Sequence, residues 1–200
     1  MIKNVIFDLG GVVIGRDFSK FGEKVGSIFS FFSGFNFPTC WKEFDRGTMT
    51  LEEVAKELAD LNNCSVEEST AAIMHVMELM QEISETGALV RELKEKGFGV
   101  YILSNMPKEF YAQIEKLDII KVFDGAVISY RERLIKPDPR IFGLILDRYD
   151  LEPGESLFVD DKKKNVDTAL GLGMAVVHFT SPAEGVAEIR KRCGLFSHSS

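Results

Sequence analysis

The sequence predicts a doubly wound α/β domain built on a parallel sheet, with a small all-helical cap inserted after the first strand. Three observations predict this. Short, wholly apolar segments recur along the chain, amphipathic segments alternate with them, and one long stretch near the N-terminus breaks the alternation. Apolar runs without polar alternation are what strands buried on both faces require. Strand and helix repeated in this way call for right-handed crossovers in a parallel sheet.

The first strand is Val5-Ile6-Phe7. Residues 18–84 follow it and read as all helix. Thr50 with Glu53 and Ser65 with Glu68 have capping-box spacing, and apolar residues recur at helical intervals in Val54, Leu58 and Leu61, then Ile73, Met77 and Met80. The expected division is a core of residues 1–17 and 85–200 and a cap of residues 18–84, with hinges at Gly15–Asp17 and Ser84–Gly87. Phe29, Phe31, Phe32, Phe35, Phe37 and Trp41 read first as cap core and second as a specificity pocket.

Beyond the insertion, Ala88–Lys96 presents Leu89, Val90 and Leu93 on one helical face, and Gly97 is placed to end that helix. Strands follow at Val100–Leu103 and Ala126–Ile128. Asp138-Pro139 supplies an N-cap and a first-turn proline ahead of Ile141, Phe142 and Ile145. Leu157–Val159 and Ala175–Val177 complete the strands, and Ser197–Ser200 reads as a frayed tail.

Acids outnumber bases 31 to 24, for a formal net charge of −7, which excludes a general attraction to nucleic acid or anionic membranes. No apolar run approaches the ~18 residues of a membrane span. Cys40, Cys64 and Cys193 are odd in number and lack CxxC pairing, which points to a reducing, cytoplasmic setting. His75, His178 and His198 have no zinc-site spacing, so any metal would take oxygen ligands. Lys162-Lys163-Lys164 reads as a solvated helix start or, alternatively, as a guide for anionic substrates.

Open α/β sheets bind ligands at the carboxyl ends of their strands. Those ends deliver Asp8, then Ser104 and Asn105, then Asp160 and Asp161, with Lys136 in a loop between. Three carboxylates in one crevice repel, and a divalent cation such as Mg2+ is the simplest remedy. A carboxylate free to attack, a cation to share charge, and Ser and Lys to hold oxygens make a phosphoryl-transfer centre.

The ordered series Val5-Ile6-Phe7-Asp8-Leu9-Gly10-Gly11-Val12-Val13, Leu103-Ser104-Asn105, Lys136-Pro137-Asp138 and Phe158-Val159-Asp160-Asp161 resembles the four motifs of the haloacid dehalogenase-like hydrolase superfamily. The helical insertion is similar to the C1-type cap of its phosphatase-rich branch, on a Rossmann-like core, and the first motif is of an Asp-Leu-Gly kind. The resemblance implies Asp8 as nucleophile and metal ligand, and Ser104 and Asn105 as phosphate or substrate binders. It implies Lys136 as stabilising cation, and Asp160 and Asp161 as direct or water-mediated Mg2+ ligands alongside the Gly10 carbonyl. Asn165 takes a supporting place behind the ligands. The implied activity is Mg2+-dependent hydrolysis of a small phosphate ester, a sugar phosphate among the candidates, by a cytoplasmic enzyme whose state as monomer or homodimer stays open.

One position departs from the pattern. Most phosphatases of the superfamily carry an acid-base aspartate two residues after the nucleophile, and here that residue is Gly10. General acid-base help is worth about 10^2 to 10^4 in rate. Asp17, beside the expected hinge, is the candidate substitute. Two other readings remain: a metal-independent 2-haloacid dehalogenase, and a catalytically silent binding protein of the same fold.

Overall fold

The structure, a computed structural model, describes residues 1–34 and 36–195. Phe35, His198 and the Ser197–Ser200 tail lie outside the described residues. In chain order, β1 (Asn4–Phe7) and β2 (Ile14–Arg16) precede a helical insertion of α1 (Gly22–Ile28), α2 (Phe31–Gly34), α3 (Thr39–Arg46), α4 (Leu51–Asn62) and α5 (Val66–Glu78). β3 (Met80–Glu82) and α6 (Ser84–Glu95) return the chain to the sheet. Then come β4 (Gly99–Ser104), α7 (Lys108–Ile114), β5 (Gly125–Ile128), α8 (Ser129–Glu132) and α9 (Pro139–Tyr149). β6 (Ser156–Asp160), α10 (Lys163–Gly171), β7 (Ala175–His178) and α11 (Pro182–Arg192) complete the fold.

Five parallel strands form one sheet in the order β5-β4-β1-β6-β7. Val5, Ile6 and Phe7 of the central strand are wholly buried, because helices cover both faces of a doubly wound sheet. Register then aligns the strand ends. Phe7 pairs with Ile102 on one side and Val159 on the other, so Asp8 emerges level with the last turns of β4 and β6.

Local chemistry sets the helix starts as the sequence predicts. Both capping boxes form, Thr50 with Glu53 and Ser65 with Glu68, and the Asp138 side chain accepts from the Arg140 N–H ahead of Pro139. Gly97 follows α6 with φ +84°, a conformation that costs glycine least.

The insertion is not all helix. Residues 80–82 form β3, which pairs antiparallel with β2, Ile14 opposite Glu82 and Arg16 opposite Met80. Met80 therefore belongs to a strand and not to a helical stripe. Leu61, read as continuing the Val54 and Leu58 stripe, is exposed. The expected hinges also need correction: Gly15 and Arg16 lie in β2, and Ser84–Gly87 form the first turn of α6. A hydrogen-bonded ribbon thus joins cap to core, and its three-residue strands are too short to show a period of two.

The cap is docked on the core at the end of α3. Ser129 Oγ donates to the Asp45 carbonyl and accepts from the Met106 N–H at 2.9 Å, joining a cap helix to the start of α8 and to the loop after β4. Gly47, with φ +74°, passes so close that a Cβ there would stand 2.8 Å from the Tyr130 carbonyl oxygen. No described helix is long and apolar enough to cross a membrane. The three cysteines are free.

Candidate active site

A cavity of about 350 Å3 lies between the sheet's carboxyl edge and the cap. Asp8, Gly10, Asn105, Lys136, Asp161 and Asn165 all line it. At its floor the carboxylates of Asp8, Asp160 and Asp161 each bring an oxygen to within 4.8 Å of the others.

Lys136 organises this cluster. Only 2% exposed, its Nζ donates to Asp160 Oδ2 at 2.6 Å and to the Leu103 carbonyl at 2.7 Å, and lies 3.0 Å from Asp8 Oδ1. Burial works against the ammonium charge, but Asp160 and Asp8 outweigh it and the Lys136 pKa lies above its ordinary value. Asn105 holds the lysine's loop: its Nδ2 donates to the Lys136 carbonyl at 3.0 Å and its Oδ1 accepts from the Lys136 N–H at 2.7 Å. These bonds commit much of its amide to shaping the loop.

The three carboxylates differ in what they have left to offer. Asp160 is fully engaged, taking Lys136, both contacts of Asn165 Nδ2 at 3.0 Å, and the Lys162 N–H at 2.8 Å. Burial raises its pKa, and the Lys136 ammonium opposes the rise. Asp8 accepts from the Leu9 N–H at 2.8 Å through Oδ1, and Oδ2 takes no hydrogen bond among the described residues. Asp161 Oδ1 is buried without a partner among the described residues, and burial, then Asp8, push its carboxyl up to about 7. Gly11 makes room for it: a Cβ there would stand 3.1 Å from Asp161 Oδ2, at φ +83°.

A buried carboxylate with an orphaned oxygen beside two others is what an oxygen-liganded cation relieves, so the residues present fit Mg2+. Ser104 is wholly buried at the end of β4, its hydroxyl also without a partner among the described residues. Asn165 Oδ1 is likewise unpartnered, and the rest of that side chain is spent on Asp160.

Asp17 is placed differently. It does not line the cavity, its carboxylate binds Ser19 and lies 3.5 Å from Lys20 Nζ, and the Ser19 hydroxyl holds its pKa below the ordinary range. A solvent-facing, low-pKa carboxylate outside the cavity is a poor proton donor to anything bound within, so the structure corrects that expectation.

Other residues stand in the site unforeseen. Arg16, on β2, lines the cavity with Nε buried and without a hydrogen-bond partner among the described residues, its guanidinium 5.0 Å from the Phe32 ring centre. Lys162 Nζ sits 4.4 Å from the Phe37 ring centre. Asp45, on α3, is 9% exposed, and burial pushes its carboxyl up to about 7 against the opposing pull of Lys162 and Arg16. One sequence signal pointed to it: Asp45 falls four residues after Trp41, on the same buried helix face, where a carboxylate is out of place. The described members of the aromatic cluster divide between cap core and cavity wall. Phe29 is buried cap core, stacked on Phe32 at 5.2 Å, while Phe32, Phe37 and Trp41 also form cavity wall.

Comparison with known proteins decides the family. The model of the haloacid dehalogenase-like hydrolases matches residues 2–173. The chain belongs to this hydrolase family. It is 28% identical over 193 residues to a sesquiterpene phosphatase, astK, of Aspergillus oryzae, covering 96% of this chain and 97% of that protein. It is 27% identical over 194 residues to a D-ribitol-5-phosphate phosphatase of Bacteroides thetaiotaomicron, covering 86% and 89%. Its fold matches the crystal structure of the Bacteroides thetaiotaomicron family enzyme bt-2542 in complex with magnesium and inorganic phosphate, with a TM-score of 0.70 at 24% identity over 88% of this chain and 93% of that one.

Proposed function

We propose that this hydrolase is a Mg2+-dependent phosphatase that acts on a small phosphate monoester through an aspartyl-phosphate on Asp8. The observation that carries the reading is the buried Lys136 joined to Asp8 and Asp160, with the orphaned Asp161 oxygen beside them. Asp8, Asp161 and the Gly10 carbonyl would hold the metal. Asp160, its oxygens already engaged, would act mainly by fixing Lys136. Bound Mg2+ supplies positive charge for the phosphate oxygens and offsets the acidic floor.

Asp8 Oδ2, free of donors, is the attacking oxygen. Lys136 and the Ser104 hydroxyl share the charge that spreads over the equatorial oxygens, and water then cleaves the aspartyl-phosphate. Cap docking excludes bulk water, which strengthens each of these interactions. The similarity to the two phosphatases named above supports the reaction class.

The walls point to the alcohol half of the substrate. Phe32, Phe37, Trp41, Ile83, Met106 and Phe110 face the cavity and offer an apolar wall suited to an apolar alcohol, while Arg16, Asp45 and Lys162 line it as its polar groups. The resemblance to a sesquiterpene phosphatase agrees with that lining.

A panel of terpenyl, aryl and polyol phosphates, assayed with and without Mg2+, tests the reading with Asp8→Asn as control. Phosphate release that needs both Mg2+ and Asp8, and favours apolar esters, is expected. EDTA-resistant halide release from a 2-haloacid would replace it with dehalogenation, and Mg2+ binding without turnover of any ester would replace it with a silent protein.

A further inference from the structure

We infer that Asp45, carried by the cap, is the group that protonates the leaving alcohol oxygen and then deprotonates the attacking water, in place of the side chain that Gly10 lacks. The inference rests on the phosphatase reading above.

Geometry is its first support. Asp45 projects into the same cavity that Asp8 floors, and only its backbone carbonyl is engaged, by Ser129. Its carboxylate takes no hydrogen bond among the described residues, although the residue is 91% buried (9% exposed). An unpartnered buried carboxyl group is costly, and it is retained where a ligand supplies the missing partner. At Gly10 a Cβ would meet nothing within 4 Å, so the space usually filled by an acid-base side chain is open to a leaving group and a water.

The other titratable groups facing this space are unsuited to the task. Burial lowers the Arg16 pKa against the pull of Asp45, Asp8 and Asp161, and a guanidinium offers only donors, with no acceptor to take a proton from water. Lys136 spends its ammonium on Asp8, Asp160 and Leu103. Asp8 is the nucleophile and Asp161 a metal ligand. Lys162, held over the Phe37 ring, is the cation that with Arg16 tempers Asp45. A carboxyl that titrates near neutrality supplies acid and base in turn.

The step balances. As Asp8 Oδ2 bonds to phosphorus and the ester P–O bond breaks, the Asp45 carboxylic acid gives its proton to the departing alkoxide. The resulting carboxylate takes a proton from water as that water's oxygen bonds to phosphorus and the Asp8–phosphorus bond breaks, which restores the acid.

The test compares kcat/KM of the Mg2+-loaded native protein, Asp45→Asn, and Asp45→Asn with Gly10→Asp, on decyl phosphate and on 4-nitrophenyl phosphate. A nitrophenolate leaves without a proton and an alkoxide does not. Asp45→Asn is expected to lose about a hundredfold on the alkyl ester and under tenfold on the nitrophenyl ester. Adding Gly10→Asp is expected to recover part of the alkyl activity, which shows at the same time that the variant fold is intact. Equal loss on the two esters, or no loss on either, overturns the role of Asp45 and leaves the phosphatase reading standing. If the native protein turns over neither ester, the comparison is made on an alkyl and an aryl phosphate that it does turn over in the panel above; inactivity on the whole panel overturns the phosphatase reading, and this inference with it.

Discussion

The Lys136 ammonium lies 2.6 Å from Asp160 Oδ2, and both side chains are closed off from water. Asp8 stands 3.0 Å from the same nitrogen. Removing the lysine would strand two buried carboxylates, a change that typically costs about 3–5 kcal/mol. Lys136→Met is therefore expected to lower the unfolding free energy by that order and to abolish turnover, as urea unfolding and the ester assay would read.

Metal should stabilise the native protein, because the unfolded chain holds no such cluster. At a hundredfold excess over its dissociation constant a ligand contributes about 2.7 kcal/mol. At roughly 2–4 °C per kcal/mol for a chain of this size, Mg2+ should raise Tm by about 5–10 °C. Asp161→Asn removes the oxygen that has no other partner and should erase most of that rise in differential scanning fluorimetry.

Asp45 makes a separate prediction about pH. Its carboxyl is raised to about 7, first by burial. Between the ordinary carboxylate range and that value the native state keeps a proton that the unfolded chain has lost, so this residue makes stability fall as pH rises through the window. Asparagine does not titrate. Thermal unfolding in EDTA should show Asp45→Asn gaining several degrees on the native protein between pH 5 and pH 8.

Gly47 lets α3 settle against the core. Its φ of +74° disfavours any side chain, and a Cβ would press on the Tyr130 carbonyl. Gly47→Ala should push the end of α3 outward and displace Asp45. The expected result is a fall in kcat/KM together with faster amide exchange in α3, measured by mass spectrometry.

Asp17→Asn, by contrast, should leave kcat/KM and its pH profile within twofold of native values. Its carboxylate is bound to Ser19 outside the cavity.

Much of this arrangement was legible in the chain. Strands buried on both faces must be apolar, so Val5–Phe7 and Leu157–Val159 announce themselves, and a parallel sheet then brings Asp8 and Asp160 to one edge by register. The capping boxes at Thr50 and Ser65 were equally plain, since a cap is a contact between residues three apart. The β2–β3 ribbon was hidden because each strand is three residues long and meets its partner only after the whole insertion has folded back.

By itself, then, the sequence determined the sheet, the order of its polar strand ends and the helical nature of most of the cap, because these follow from local periodicity and hydrogen bonding. Only the tertiary structure decided which side chains of the cap, and of the segment leading into it, share the cavity with Asp8. Arg16 and Asp45 reach it, and Asp17 does not, because the paired ribbon and the docking of Gly47 on Tyr130 set how the cap sits on the core. Burial, which lifts the Asp45 carboxyl towards neutrality, is a property of that packing and of no stretch of chain alone.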